Sequence, residues 1–306
     1  MKMDLNIMAE LRGRLEWDAS LAHYTSWRTG GAAEGLYLPA DLQDLTVFLQ
    51  SLPKSVALTW LGLGSNTLVR DGGVEGMVIV TQGGLNDLAQ TEPQMIRAEA
   101  GVACAQLARF SARLGLTGLE FMAGIPGTVG GALAMNAGCF GGETWSFVHS
   151  VETINRHGEI KIRPATEFEV GYRHVLRFAD EWFVAGYFPL MPGDKEKSLQ
   201  YIRDLLEKRN TTQPTGTANC GSVFRNPSGS HAGRLIEECG LKGRLLGGAC
   251  VSSKHANFII NEQSATAADI ESLIGEVRAT VEQKTGIQLI PEVCIIGKKM
   301  NGSEKA

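Results

Sequence analysis

The chain has 306 residues, 43% of them hydrophobic, and a net charge of −4 with both signs scattered along it. That length and apolar content suit two or three packed domains, and the scattered charge argues against a nucleic-acid binder while leaving room for an anionic small ligand held by local donors. The six cysteines are spaced too widely for zinc ligands or a disulfide framework. No stretch approaches the ~18 apolar residues of a spanning helix, and Met1–Glu16 lacks the apolar core of a secretory signal. Free thiols, no bound metal, no membrane insertion and a cytoplasmic location are therefore expected.

Residues 1–20 read as a leading segment. Strands are predicted at Gly35–Leu38, Val56–Leu61 and Met77–Val80, with a helix after Pro39 that has Asp41 as its cap and Leu42, Leu45, Phe48 and Leu49 on one face. Another strand, Met95–Ala100, leads into a helix over Val102–Leu114 with Leu107, Phe110 and Leu114 at helical spacing. Val151–Asn155 and Glu159–Arg163 flank Arg156-His157-Gly158 as a hairpin, and Trp182–Leu190 is a further strand. A boundary falls near Met191–Asp194, beyond which Glu196–Lys208 is an amphipathic helix burying Leu199, Ile202, Leu205 and Leu206, followed by a polar loop over Asn210–Gly216. The remainder alternates: a strand at Val223–Phe224, a helix around Leu235 and Ile236, strands at Ala249–Val251 and Phe258–Ile260, a long helix and a last strand over Gln288–Ile296. Thr266 and Asp269 form a capping box for the long helix, whose stripe of Ile270, Leu273, Ile274, Val277 and Val281 faces a core. The pattern is mixed α+β.

Two glycine segments stand out. Ala123–Gly138 holds five glycines and no Lys or Arg, interleaved with Ile125, Val129, Leu133 and Met135. Bare backbone of this kind admits a bulky polar ligand close to N–H donors. The second segment, Gly62 to Asn66, follows an apolar strand directly, so it is a turn at a strand end. It departs from the dinucleotide fingerprint, since Thr67 occupies the third glycine position and the turn Asp71-Gly72-Gly73 follows instead of a helix. A Walker loop fails too, because no Gly-Lys-Ser/Thr follows either cluster. Phosphates bound here would sit in loops.

These segments resemble those of the UDP-N-acetylenolpyruvoylglucosamine reductases (the MurB family), as do Tyr24–Gly31, Gly171-Tyr172-Arg173, Gly221–Pro227, Lys254–Asn261 and Pro291-Glu292-Val293, in the family's order. The resemblance implies a non-covalent FAD enzyme of the p-cresol methylhydroxylase and vanillyl-alcohol oxidase type: two FAD-binding subdomains within 21–192, split near 90–95, a connector over 193–216 and a substrate-binding α+β domain over 217–306. It implies reduction of the enolpyruvyl ether of UDP-N-acetylglucosamine by NADPH, with hydride passing through FAD N5 to substrate C3 and a proton to C2. FAD contacts are expected from Gly62, Gly64, Ser65, Asn66 and Thr67, and from Gly124, Ile125, Pro126, Gly127, Thr128, Gly130, Gly131, Asn136, Ala137 and Gly138.

The implied catalytic residues are Arg173, Ser222 and Glu292. A guanidinium is permanently charged and can hold a carboxylate through two parallel hydrogen bonds. Ser222 matches the family's proton donor to a carbanion-like carbon, with Gly221 letting the backbone come close to the substrate. Glu292 is placed on the last strand, sharing a face with Cys294 and Ile296, where an acid must pair with a cation or hold a raised pKa. Read without the resemblance, Arg173 is a surface arginine and Cys220–Ser222 a structural turn. Asn226, Lys254, His255 and Asn257 are further candidates for the sugar nucleotide, His255 being equally readable as a hydrogen-bonded core residue. The inserted Tyr loop of some relatives is not evident, so the shorter subclass is expected and neither Tyr187 nor Tyr201 is given a lid role. Arg225 stands where many relatives have Lys. Two other readings stay open: a flavin oxidase of alcohols or sugars, and a non-catalytic flavin- or nucleotide-binding module.

Overall fold

The computed structural model describes residues 11–300, so the first ten residues of the leading segment lie outside the described residues. The chain forms two compact units. One takes Leu36–Leu63 and Gly76–Lys208 with the described part of Met1–Glu16; the other takes Trp17–Gly35, Gly64–Glu75 and the described part of Arg209–Ala306. Among the described residues no helix is long and apolar enough to cross a membrane.

In the first unit, helix α1 (Leu42–Ser51) starts where expected: the Asp41 carboxylate accepts from the Asp44 N–H at 2.8 Å, and Leu45, Phe48 and Leu49 are buried. Helix α2 (Cys104–Arg113) is shorter than predicted. It stops before Leu114, which is exposed, because Gly115 turns the chain out of the helix with φ +71°. A five-stranded antiparallel sheet runs in the order Ile160–Pro164, Ser150–Asn155, Glu181–Pro189, Met95–Glu99, Leu88–Glu92, and includes the expected hairpin. The strand Leu58–Leu61 pairs in parallel with Met77–Val80. Helix α3 (Val129–Met135), which periodicity did not predict, lies inside the first glycine segment and packs on the strand Glu181–Pro189. Helix α4 (Lys195–Thr212) buries Ile202 and Leu205 and continues through the residues 210–212 that were assigned to a loop. It ends one residue before Gln213, which precedes Pro214 and is thereby biased out of the helical region.

The second unit packs around Trp27, helix α5 (Ala232–Glu238) and helix α6 (Ala267–Thr285). The capping box at Thr266 and Asp269 is formed, and every residue of the predicted stripe is buried. A three-stranded antiparallel sheet joins Leu245–Leu246, Ala249–Val251 and Ile259–Asn261. Two predicted strands are corrected. Val223–Phe224 makes only an isolated bridge, Phe224 to Pro291. The last strand is Cys294–Ile296, paired in parallel with Thr67–Val69, and not Gln288–Ile296. Pro291 has no N–H for a ladder and the chain bends at Val293, so Glu292 lies outside the strand. The alternation that put Glu292 on one face with Cys294 does not hold across that bend.

Candidate active site

Arg173 lies in the first unit, in the two-residue turn between Glu169–Gly171 and His174–Leu176. Its φ of +54° is a left-handed conformation that costs a non-glycine residue energy and persists only where the surroundings hold it. Here they do. Its guanidinium donates to the carbonyl of Gly138 at 2.6 Å and to that of Asn136 at 3.3 Å, which ties the arginine to the end of the glycine segment. Asn136 caps α3 in the left-handed conformation, and its buried amide donates to Glu143 at 3.0 Å and to the Gly171 carbonyl at 3.1 Å while accepting from the Trp145 N–H at 3.1 Å. What Asn136 contributes through its side chain is the placement of the Arg173 turn.

The same segment fits a flavin. The Thr128 hydroxyl is buried at the start of α3 without a hydrogen-bond partner among the described residues, an unusual state for a buried polar atom. A Cβ on Gly62 would run into that oxygen. Gly124 and Gly130 are explained by the protein's own packing against Phe140 and Ala100, and Gly138 by the Gly142 carbonyl. Gly131 is different: it is exposed, and an added Cβ would meet nothing closer than Thr128 Oγ1 at 3.9 Å. Thr128 and Gly131 are thus a donor and a bare surface that the fold itself does not use. Ile125 and Gly127 are half-buried, Pro126 is exposed, and Ala137 is half-buried next to Asn136.

Gly64–Thr67 belongs to the second unit. Gly64 has φ +63°, and a Cβ there would strike the Tyr24 carbonyl, so its glycine serves a close backbone approach. Ser65 and Thr67 are half-buried. Asn66 Nδ2 donates to the Glu292 carbonyl at 3.0 Å, and its own carbonyl accepts from the Cys294 N–H at 2.9 Å. The turn predicted to bind cofactor therefore also anchors the segment carrying Glu292.

Ser222 follows Gly221, whose φ of +80° explains that glycine without any close contact. The turn is held by Asn219, which sequence reading missed although Asn two residues before Gly is an Asx-turn signal. Its Oδ1 accepts from the Gly221 N–H at 2.9 Å, and its Nδ2 donates to the carbonyl of Pro214 at 3.1 Å. The Ser222 hydroxyl is half-buried and has no protein hydrogen-bond partner among the described residues. One residue on, the Val223 carbonyl accepts from the Glu292 N–H at 2.8 Å, which brings the backbones of the two predicted catalytic residues together. Burial, with the negative charge of Glu292 added, pushes the neighbouring Cys220 thiol well up, so it stays protonated and unreactive.

The lower-ranked candidates divide. Lys254 is exposed and donates from Nζ to the Asn210 carbonyl at 2.5 Å, and Asn226 accepts from the Ala232 N–H at the start of α5. His255 accepts at Nδ1 from the Asn257 N–H at 3.2 Å and lies edge-on to Phe258; burial lowers its pKa. Asn257 is buried, with both ends of its amide on the backbone of Phe224.

Residues 33–162 match the FAD binding domain family model, and residues 213–296 match that of the UDP-N-acetylenolpyruvoylglucosamine reductase C-terminal domain. A UDP-N-acetylenolpyruvoylglucosamine reductase of Legionella pneumophila (strain Corby) is 59% identical over 296 residues, 96% of each chain. One from Alkalilimnicola ehrlichii is 57% identical over 286 residues, covering 94% of this chain and 96% of the relative. Among solved structures, the corresponding reductase of Thermus caldophilus superposes with a TM-score of 0.79 at 31% identity, covering 94% of this chain and 100% of that one.

Proposed function

The chain belongs to the UDP-N-acetylenolpyruvoylglucosamine reductase family, an oxidoreductase family of peptidoglycan synthesis with FAD as cofactor, and we propose that it reduces UDP-N-acetylglucosamine enolpyruvate to UDP-N-acetylmuramate at the expense of NADPH. FAD would supply the redox chemistry of this reduction when bound. Thr128, by its unmet hydrogen bond, and Gly131, by its bareness, are the residues best suited to hold it, with Gly62 packed against the Thr128 hydroxyl.

The remaining work falls to the side chains. Negative charge develops over C2 and the carboxylate of the substrate, and Arg173 stabilises it with a permanent charge on a pre-oriented guanidinium. Ser222 delivers a proton to C2, and Glu292 is the acid beside the enol. The observation that carries this reading is the Ser222 hydroxyl: half-buried, set on a turn held by Asn219, one residue from the backbone bond to Glu292, and uncommitted to any protein partner among the described residues. Only residues 177–180 join the strand His174–Leu176 to Glu181–Pro189, and Tyr187 is committed to Glu152 at 2.7 Å, which supports the shorter subclass without a Tyr lid.

The test is Ser222→Ala in anaerobic half-reactions. Flavin bleaching by NADPH stays within about two-fold of the parent, while reoxidation by the enolpyruvyl sugar nucleotide slows by about 10²–10⁴-fold. Equal slowing of both halves would remove Ser222 from proton delivery.

A further inference from the structure

Asn257 lies in the Lys254–Asn261 motif and is a candidate for the sugar nucleotide, yet its amide is turned to the protein. Its Oδ1 accepts from the Phe224 N–H at 3.0 Å, its Nδ2 donates to the Phe224 carbonyl at 2.8 Å, and its own carbonyl accepts from the Val223 N–H at 2.9 Å. An asparagine amide carries the same donor and acceptor as a peptide group. Asn257 therefore stands in for a neighbouring strand beside residues 223–224. On the other side, the Val223 carbonyl accepts from the Glu292 N–H at 2.8 Å, and the Arg225 N–H donates to the Ile290 carbonyl at 2.9 Å. Phe224 faces Pro291 there, which has no N–H to offer. The segment following Ser222 is thus gripped on one side by Asn257, through its amide and its own carbonyl, and on the other by the segment carrying Glu292.

We infer that Asn257 is a positioning residue of the reduction: its amide bracket on Phe224 sets Ser222 in register with Glu292, and it does not bind substrate directly. This rests on the reading of Ser222 as proton donor. Without the bracket, two buried backbone groups of Phe224 lose their partners and the segment must shift to find others. A displacement of about 1 Å at a reacting group costs about 100-fold in rate. A direct substrate contact would instead require amide atoms turned away from the backbone.

The test compares Asn257→Ala and Asn257→Asp with Ser222→Ala and with the double variant Asn257→Ala/Ser222→Ala. Asp keeps the shape and the acceptor for the Phe224 N–H but, ionised, cannot donate to its carbonyl, so it carries the test if the Ala variant fails to fold. Both single variants should retain the FAD spectrum and normal bleaching by NADPH. Reoxidation by the enolpyruvyl sugar nucleotide should fall by about 100-fold for Ala and less for Asp, in kcat and not in KM, with a larger solvent deuterium effect on that step. Adding Asn257→Ala to Ser222→Ala should slow the reaction no further, as for two groups acting through one. A raised KM with kcat intact, equal slowing of both half-reactions, or parental reoxidation would each overturn the inference. If Ser222→Ala is slow while both Asn257 variants are normal, only the positioning role falls. A normal Ser222→Ala would take down the proton-donor reading and this inference together.

Discussion

Gly130 and Gly131 are adjacent on α3, and the fold accounts for only one of them. A Cβ on Gly130 would press on Ala100 at 2.8 Å, whereas one on Gly131 would make only an ordinary contact with Thr128 Oγ1 at 3.9 Å. Gly131→Ala removes an unfavourable helical glycine, worth about 1 kcal/mol, so the apoprotein should melt no lower than the parent. The same change should weaken FAD binding by at least about ten-fold, since each 1.4 kcal/mol of lost contact is a factor of ten. Titrating apoprotein with FAD checks this, and unchanged affinity would take Gly131 out of the cradle. Gly130→Ala should instead lower stability by about 1–3 kcal/mol through overpacking. The density of glycine was readable from the sequence; which glycines serve the fold and which serve a ligand was not, because that depends on what packs against each Cβ position. Arg173 is a similar case. Its identity came with the motif, but its left-handed backbone and its tie to Gly138 depend on a turn meeting α3.

Elements governed by local chemistry were the legible ones. The Thr266 side chain accepts from the Asp269 N–H at 3.1 Å, and the Asp269 carboxylate accepts in return from the Thr266 N–H at 3.0 Å. Thr266→Ala should cost about 1 kcal/mol, seen as a lower urea midpoint with an unchanged slope; an unchanged midpoint would mean the box contributes nothing. The start and the apolar stripe of α6 followed from spacing alone. The segments around Ser222 and Glu292 did not, because an apolar run such as Val293 to Ile296 reads as strand while its partners decide how much of it pairs. Parallel pairing with Thr67–Val69 begins only at Cys294, and the residues before it are held by Asn66, Val223 and the bridge to Pro291.

For the molecule as a whole, buried carboxylates set the response to acid. Burial pushes the Glu152 carboxyl up, but hydrogen bonds from Arg97 and Tyr187 outweigh it and hold it below its ordinary range; Glu120 is held down similarly by Ser198 and Thr117. Arg163 lowers Glu181, and Arg70 lowers Glu271. Groups depressed in the folded state contribute stability above their unfolded pKa of about 4.5 and lose it as pH falls through their folded values. His255, lowered by burial, adds a loss that begins as pH falls below about 6.5, because the unfolded chain takes up that proton first. Glu99, raised by burial, works in the opposite direction. The urea midpoint should therefore decline below pH ~6.5 and fall steeply below ~4.5, and Glu152→Gln should flatten the acid limb. A midpoint that holds from pH 7 to pH 4 would contradict this charge assignment.

The sequence by itself determined the α+β class, the approximate positions of the longer helices, the caps of α1 and α6, the hairpin at 150–164, the glycine segments and the family. Each of these is written in neighbouring residues, in a period, a cap or a motif. Only the tertiary structure decided that Trp17–Gly35 and Gly64–Glu75 pack with the C-terminal part of the chain, that Trp27 Nε1 bonds the Ile259 carbonyl at 2.8 Å, and that Asn257 takes the place of a strand beside Phe224. Those pairings join residues far apart in the chain. They answer to no period, and are set by which buried backbone groups remain to be satisfied once the local elements have formed.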